Sequence, residues 1–108
     1  MFLKGIYKMD MIKFSTPSDI ILREATLNNN VSVFLDRLSS LLSEQVSFPP
    51  NGFRYDIEST EILQPRDISL IQFVIEKHGW NSSINLIASD GNGCTYRVFL
   101  IESKKIYL

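Results

Sequence analysis

Residues 84–101, INLIASDGNGCTYRVFLI, indicate a β-hairpin, and this hairpin sets the fold class. Apolar residues alternate along its first strand from Ile84, and residues 90–93, Asp-Gly-Asn-Gly, supply the turn. The return strand over 94–101 carries apolar residues on both faces, namely Tyr96, Val98 and Leu100 on one and Phe99 and Ile101 on the other. Because a strand that is apolar on both faces is typical of a sheet interior, we expect the return strand at the centre of a sheet.

Two further segments upstream have strand character. Residues 53–58 alternate Phe53, Tyr55 and Ile57 with Arg54, Asp56 and Glu58, which predicts a half-buried strand with a charged outer face. Mixed apolar residues and lysines predict a first strand near 6–14, and the apolar tail 106–108 is either packed or a last short strand. Residues 61–63 either continue the strand at 53–58 or fold back as a short partner.

Three segments carry helix signals. Residues 16–19, Thr-Pro-Ser-Asp, begin a short helix that should stop at 28–30. Asn30 is predicted to cap an amphipathic helix over 31–46, whose apolar residues recur in steps of three and four up to Val46. Residues 64–67, Gln-Pro-Arg-Asp, begin a third helix, and Gly79 is placed as the left-handed residue past its end.

The predicted order is therefore β-α-α-β-α-β-β in a single α+β domain over residues 1–108. We expect a mixed or antiparallel sheet with the helices packed on one face and a C-terminal β-hairpin. A chain of 108 residues and 12.4 kDa suits one domain. Such a chain buries roughly 60–70% of its unfolded surface, which supports one core without disulfides or metal.

Composition excludes several classes of function. The net charge is −1 and the pI is near 5.7, which argues against a protein that binds nucleic acid or a membrane surface through concentrated basic charge. Cys94 is the single cysteine and His78 the single histidine, so the sequence offers no disulfide and no zinc-ligand motif. No run approaches the roughly 20 apolar residues of a membrane span. We expect a cytoplasmic protein without a cofactor.

One string has the pattern of a nuclease site. Residues 98–104, VFLIESK, form a hydrophobic strand that ends in Glu102-x-Lys104, with Asp90 upstream across the hairpin. This resembles the signature of the PD-(D/E)xK nuclease superfamily, and the resemblance implies a Mg²⁺ ion held by the two carboxylates and a lysine that positions the attacking water.

The chain departs from that pattern in two respects. No proline precedes Asp90, and only four residues follow Lys104. A strand of about eight residues at ~3.3 Å each separates Asp90 from Glu102 by more than about 20 Å, too far for one metal site. A minimal Mg²⁺-dependent nuclease, or a subunit that completes another protein's site, is therefore kept as an alternative only.

Acidic residues cluster between Tyr55 and Asp67. Four carboxylates stand there against one arginine, Arg66, a local net charge of −3. The cluster is either a solvated strand face or a docking surface for a basic partner, since complementary charge tunes encounter and register. The candidate partner-binding residues are Arg54, Asp56, Glu58, Glu61, Asp67 and Trp80.

The shortage of catalytic residue types favours binding over catalysis. The leading hypothesis is a small cytoplasmic module, not an enzyme, that binds another protein. By analogy of size and composition we favour an inhibitor, antidefence or immunity-type protein that blocks a nucleic-acid-handling partner. An adaptor or secretion chaperone is a second alternative, and direct nucleic-acid binding through Lys4, Lys8 and Lys13 is disfavoured by the pI. No membrane partner is expected, and a homodimer is left open.

Overall fold

The structure is a computed structural model that describes residues 14–103. Along these residues three helices and three strands follow in the order α-α-β-α-β-β. The helices are α1 (Pro17–Leu27), α2 (Asn29–Ser43) and α3 (Pro65–Lys77), and the strands are β1 (Phe53–Ser59), β2 (Trp80–Asp90) and β3 (Gly93–Glu102). The predicted α+β class and the C-terminal hairpin are confirmed. The predicted strand near 6–14, apart from its last residue, and the tail at 106–108 lie outside the described residues.

The sheet is antiparallel with the strand order β1-β3-β2. The return strand of the hairpin is therefore central, as predicted. Among residues 14–103, helices cover only one face of this strand, and Phe99 and Ile101 on the other face are 44% and 51% exposed. This agrees with the expectation of helices packed on one face, since an antiparallel sheet can leave its other face open.

The core lies between the covered face of the sheet and the helices. From β3 it takes Tyr96, Val98 and Leu100, which are fully buried. These pack in one cluster with Phe53 and Ile57 of β1 and with buried residues of α2 and α3, namely Val31, Phe34, Leu38, Leu70, Ile71 and Ile75. We call this covered side the inner face and the other side the outer face.

Local signals place α1 as predicted. The Thr16 hydroxyl accepts a hydrogen bond from the Asp19 backbone N–H at 3.1 Å, and the Asp19 carboxylate accepts from the Thr16 N–H at 3.0 Å. This reciprocal pair satisfies two of the amide groups that a helix start leaves without partners. Pro17 occupies the first turn, where its missing N–H costs nothing.

The boundaries of α2 differ from the prediction at both ends. Asn28, not Asn30, is the cap, because its side-chain oxygen accepts from the Val31 N–H at 3.2 Å. Asn28 has an extended backbone that ends α1 and begins α2 in one step. The helix stops at Ser43, and Val46 is 99% exposed, so this apolar residue is not part of the core.

The segment after β1 is a loop, which settles the alternative left open for residues 61–63. The buried hydroxyl of Tyr96 accepts a hydrogen bond from the Leu63 backbone N–H at 2.8 Å and holds this loop against the core. Beyond α3, Gly79 has φ +91, the left-handed conformation that the sequence predicted past the helix end.

Candidate interaction surface

The six predicted partner-binding residues do not form one site. Arg54, Asp56 and Glu58 lie together on the outer face of β1, as the alternation predicted, and Glu61 is exposed in the loop that follows. Asp67 and Trp80 lie elsewhere in the fold.

Asp67 is a buried helix cap and not a surface residue. It is 7% exposed at the start of α3. Its carboxylate accepts hydrogen bonds from the Gln64 backbone N–H at 3.0 Å and from the Asn28 side-chain amide at 2.8 Å. Because both carboxylate oxygens are used within the fold, its assignment to the partner-binding set is corrected.

Trp80 packs on the inner face, across the sheet from Arg54. It begins β2 and is half-buried. Its ring stacks on Phe48 with centroids 5.6 Å apart and meets the edge of Phe53 at 5.8 Å. Trp80 therefore contributes to an aromatic cluster and shares no surface with the charged residues of β1.

The register of the strands defines what stands beside those charged residues. Arg54 lies opposite Phe99, and Phe99 lies opposite Ser83 of β2. In the next row Asp56 lies opposite Arg97, which in turn lies opposite Asn85. One further outward row lies on each side of these two rows, Glu58 with Thr95 on one side and Ile101 with Asn81 on the other. We define the outer sheet surface as the outward residues of these four rows, namely Arg54, Asp56, Glu58, Thr95, Arg97, Phe99, Ile101, Asn81, Ser83 and Asn85.

The charge on this surface is balanced, not acidic. Arg97 Nε lies 2.9 Å from Asp56 Oδ1, and Arg97 Nη2 lies 3.2 Å from Asp56 Oδ2, a two-pronged pair between β3 and β1. The Arg97 guanidinium holds the pKa of the Asp56 carboxyl below its usual value. Two arginines, Arg54 and Arg97, stand against two carboxylates, Asp56 and Glu58, so the predicted acidic strand does not produce an acidic face.

The centre of the outer sheet surface is apolar. Phe99 and Ile101 are neighbours on the central strand and point to the same side, with about half of each side chain exposed. Charged and amide side chains of β1 and β2 flank them. An apolar centre with a polar rim is the usual layout of a protein-binding patch. Both residues stand out as apolar in the sequence, but neither was among the predicted partner-binding residues.

The residues of the nuclease-like string are far apart. Asp90 closes the hairpin turn, where its carboxylate accepts from the backbone N–H groups of Asn92 and Gly93 at 2.7 and 3.1 Å. Glu102 lies at the other end of β3, opposite Trp80. The 10 residues of β3 at about 3.3 Å each span about 30 Å. Lys104 lies outside the described residues.

Over residues 14–103, no group of three or more His, Cys, Asp or Glu side chains is placed to hold a metal ion. Within the same residues, no helix has the length and apolar character needed to cross a membrane. Comparison of the chain with protein-family models, curated proteins and solved structures finds no match.

Proposed function

We propose that this protein acts by binding another protein through its outer sheet surface. The observation that carries the proposal is the pair Phe99 and Ile101, exposed side by side at the centre of a sheet face that the described helices leave open. Burying exposed apolar side chains supplies most of the free energy of protein association, and the charges around them set the orientation of the partner.

The layout also defines the kind of partner. Arg54 is positively charged, and the next row contains the Asp56–Arg97 ion pair, so charges of both signs lie close together. The complementary surface of the partner therefore has an apolar centre with charges of both signs around it. A purely basic partner does not complement this surface, because its charges are balanced and not acidic. We propose an inhibitor of the antidefence or immunity type, acting in the cytoplasm on a partner that itself handles nucleic acid.

Affinity capture followed by a matched pair of variants tests this function. The partner is captured from a native lysate with the full chain and then purified, and its affinity is measured with Phe99→Asp. We expect binding to weaken by at least about 30-fold, because a central apolar residue contributes about 2 kcal/mol or more at such interfaces. Phe99 is exposed, so the variant should keep the stability of the parent chain.

Leu27→Asp is the matched control. Leu27 is 80% exposed at the end of α1, a helix that packs on α2 and α3 and contacts no described strand. It should bind the partner as the parent chain does. Failure to retain any partner, or equal weakening by both variants, refutes the proposal. Loss of the partner's own activity on addition of the protein distinguishes an inhibitor from an adaptor.

A further inference from the structure

The two edges of the described sheet differ in charge. On β1 the outward residues Arg54, Asp56 and Glu58 are all charged, a common protection of an exposed strand edge. On β2 the residues from Trp80 to Ser89, WNSSINLIAS, include no charged residue and no proline. An uncharged edge strand with free backbone groups is a template for pairing with another strand.

The regular part of β2 is limited to its first seven residues. From Trp80 to Leu86 each residue pairs in unbroken register with β3, and the register shifts between Leu86 and Ala88. Such a bulge bends the strand and ends its capacity for regular pairing. The segment WNSSINL therefore offers a pairing edge of about 23 Å, at ~3.3 Å per residue.

This segment is complementary to itself when it is reversed. A twofold axis through Ser83 sets Trp80 opposite Leu86 of a second copy and Asn81 opposite Asn85 of that copy. On the inner face Trp80 then meets Leu86 and Ser82 meets Ile84, on the outer face amides meet, and the two Ser83 hydroxyls meet at the axis. No charged residue lies within the paired segments, so the pairing carries no like-charge repulsion.

The same arrangement accounts for an exposed leucine. Leu86 belongs to the inner-face row of β2 and yet is 46% exposed. A surface pocket of about 400 Å³, lined by Phe73 and Trp80 and by polar residues that include Glu76, lies where α3 meets the first residues of β2. In the twofold pairing, Leu86 of each copy comes to lie opposite Trp80 and beside this pocket of the other.

From these observations we propose that two copies of this chain pair antiparallel through Trp80–Leu86 of β2 and form a continuous six-stranded sheet. The inference does not rest on the proposed function. Pairing at this edge leaves Phe99 and Ile101, on the outer faces of the central strands, free for a partner protein.

Disulfide trapping with Ser83→Cys tests the position of the axis. Residues directly opposite in an antiparallel pair have Cβ atoms about 4.5–5.5 Å apart, close to the roughly 3.5–4.5 Å of a disulfide. Under mild oxidation of the full chain we expect a covalent dimer. Ser40→Cys, the same substitution at an exposed serine of α2, should remain monomeric under the same conditions. Cys94 is buried and common to both variants.

Sedimentation equilibrium of the unmodified chain and of two lysine variants provides the second measurement. We expect a concentration-dependent dimer, and Ser83→Lys, which sets two ammonium groups face to face at the axis, should raise its Kd at least about tenfold. Thr95→Lys adds the same charge to the same face on the central strand and should leave the Kd unchanged.

Three outcomes overturn the proposal. One is a monomer at every concentration up to about 1 mM. Another is a dimer that Thr95→Lys disrupts and Ser83→Lys does not, which would place the contact on the outer sheet surface. The third is equal disulfide formation by the Ser83 and Ser40 variants.

Discussion

At the scale of single residues, Asn28 and Asp67 join the starts of two helices. Asn28 caps α2 through its side-chain oxygen and donates its amide N–H to Asp67 at 2.8 Å. Asp67 in turn accepts from the Gln64 N–H at the start of α3. One partly buried contact between residues 39 positions apart therefore fixes where both helices begin.

Asp67→Ala should destabilise the fold by about 2–3 kcal/mol, because it removes a helix cap and leaves the Asn28 amide without its acceptor. Urea unfolding at pH 7 measures the change. Asp19→Ala, which removes an exposed helix-start carboxylate, should cost only about 1 kcal/mol. The double variant Asn28→Ala/Asp67→Ala should lose less than the sum of the two single losses, and strict additivity would contradict the joint role.

Gly52, directly before β1, has a backbone conformation that residues with a side chain rarely adopt. Its φ is +83, and a Cβ atom placed there would lie 2.2 Å from the Leu100 carbonyl oxygen. Gly52→Ala should therefore cost more than about 2 kcal/mol, from the left-handed backbone and from the clash with β3. Gly79→Ala is the control, since Gly79 has φ +91 with no atom within 4 Å of its Cβ position.

The Gly79 variant should show only the backbone cost, about 1 kcal/mol. Urea titration measures how much free energy of unfolding each variant loses. The loss in Gly52→Ala minus the loss in Gly79→Ala gives the cost of the clash between residue 52 and β3. Equal losses would mean that the backbone at Gly52 moves away from Leu100 freely.

At the scale of elements, the sequence predicted what depends on neighbours along the chain. The Thr16–Asp19 helix start and the 90–93 turn use side chains within three residues of each other, so residue type and order suffice to place them. The central position of β3 was also predicted, from apolar residues on both of its faces.

The candidate surface could not be predicted from the sequence, because it depends on contacts between residues that are distant along the chain. Arg97 neutralises Asp56 across 41 positions, and nothing in the order of residues states that these two strands pair in this register. The −3 cluster at 55–67 was counted along the chain, whereas the fold buries Asp67 and pairs Asp56 with an arginine from outside the cluster. A surface depends on register, which local patterns do not encode.

The segment between α2 and β1 is held by aromatic contacts. Phe48 stacks on Trp80 and lies 5.4 Å from the ring of Phe53, although it is 53% exposed. Phe48→Ala should destabilise the fold by about 1 kcal/mol through loss of these ring contacts. Because Trp80 is the only tryptophan, its fluorescence emission should shift to longer wavelength as its ring gains water.

Phe14→Ala serves as the control for Phe48. Phe14 is 83% exposed, so the substitution should leave both the emission of Trp80 and the unfolding midpoint unchanged. An unshifted emission in Phe48→Ala would show that the stack does not shield the indole ring.

At the scale of the whole molecule, exposed carboxylates form ion pairs between elements that are distant in the sequence. Glu24 of α1 accepts a hydrogen bond from Arg66 Nε of α3 at 2.9 Å, and Asp56 joins β1 to β3 through Arg97. Hydrogen bonds from the arginines hold the pKa values of Glu24 and Asp56 below their usual range. The Thr16 backbone N–H does the same for the pKa of Asp19.

These lowered pKa values predict a loss of stability in acid. A carboxyl whose pKa is lower in the folded state than in the unfolded chain stabilises the fold fully above the unfolded value, near pH 4. That contribution is lost as the pH falls through the folded pKa. The urea midpoint, followed by Trp80 fluorescence, should therefore be flat from pH 7 to about pH 5 and fall below about pH 4.

The variant Glu24→Gln/Asp56→Asn separates these two groups from all other titrating residues. It should be less stable than the parent chain at pH 7 and should lose less of its remaining stability on acidification, so the two curves converge at low pH. Because both carboxylates are exposed, salt should screen their ion pairs and narrow the difference at pH 7. Parallel pH curves for the two proteins would show that these ion pairs do not contribute to stability. The hydrophobic core would then be what joins the helices to the sheet.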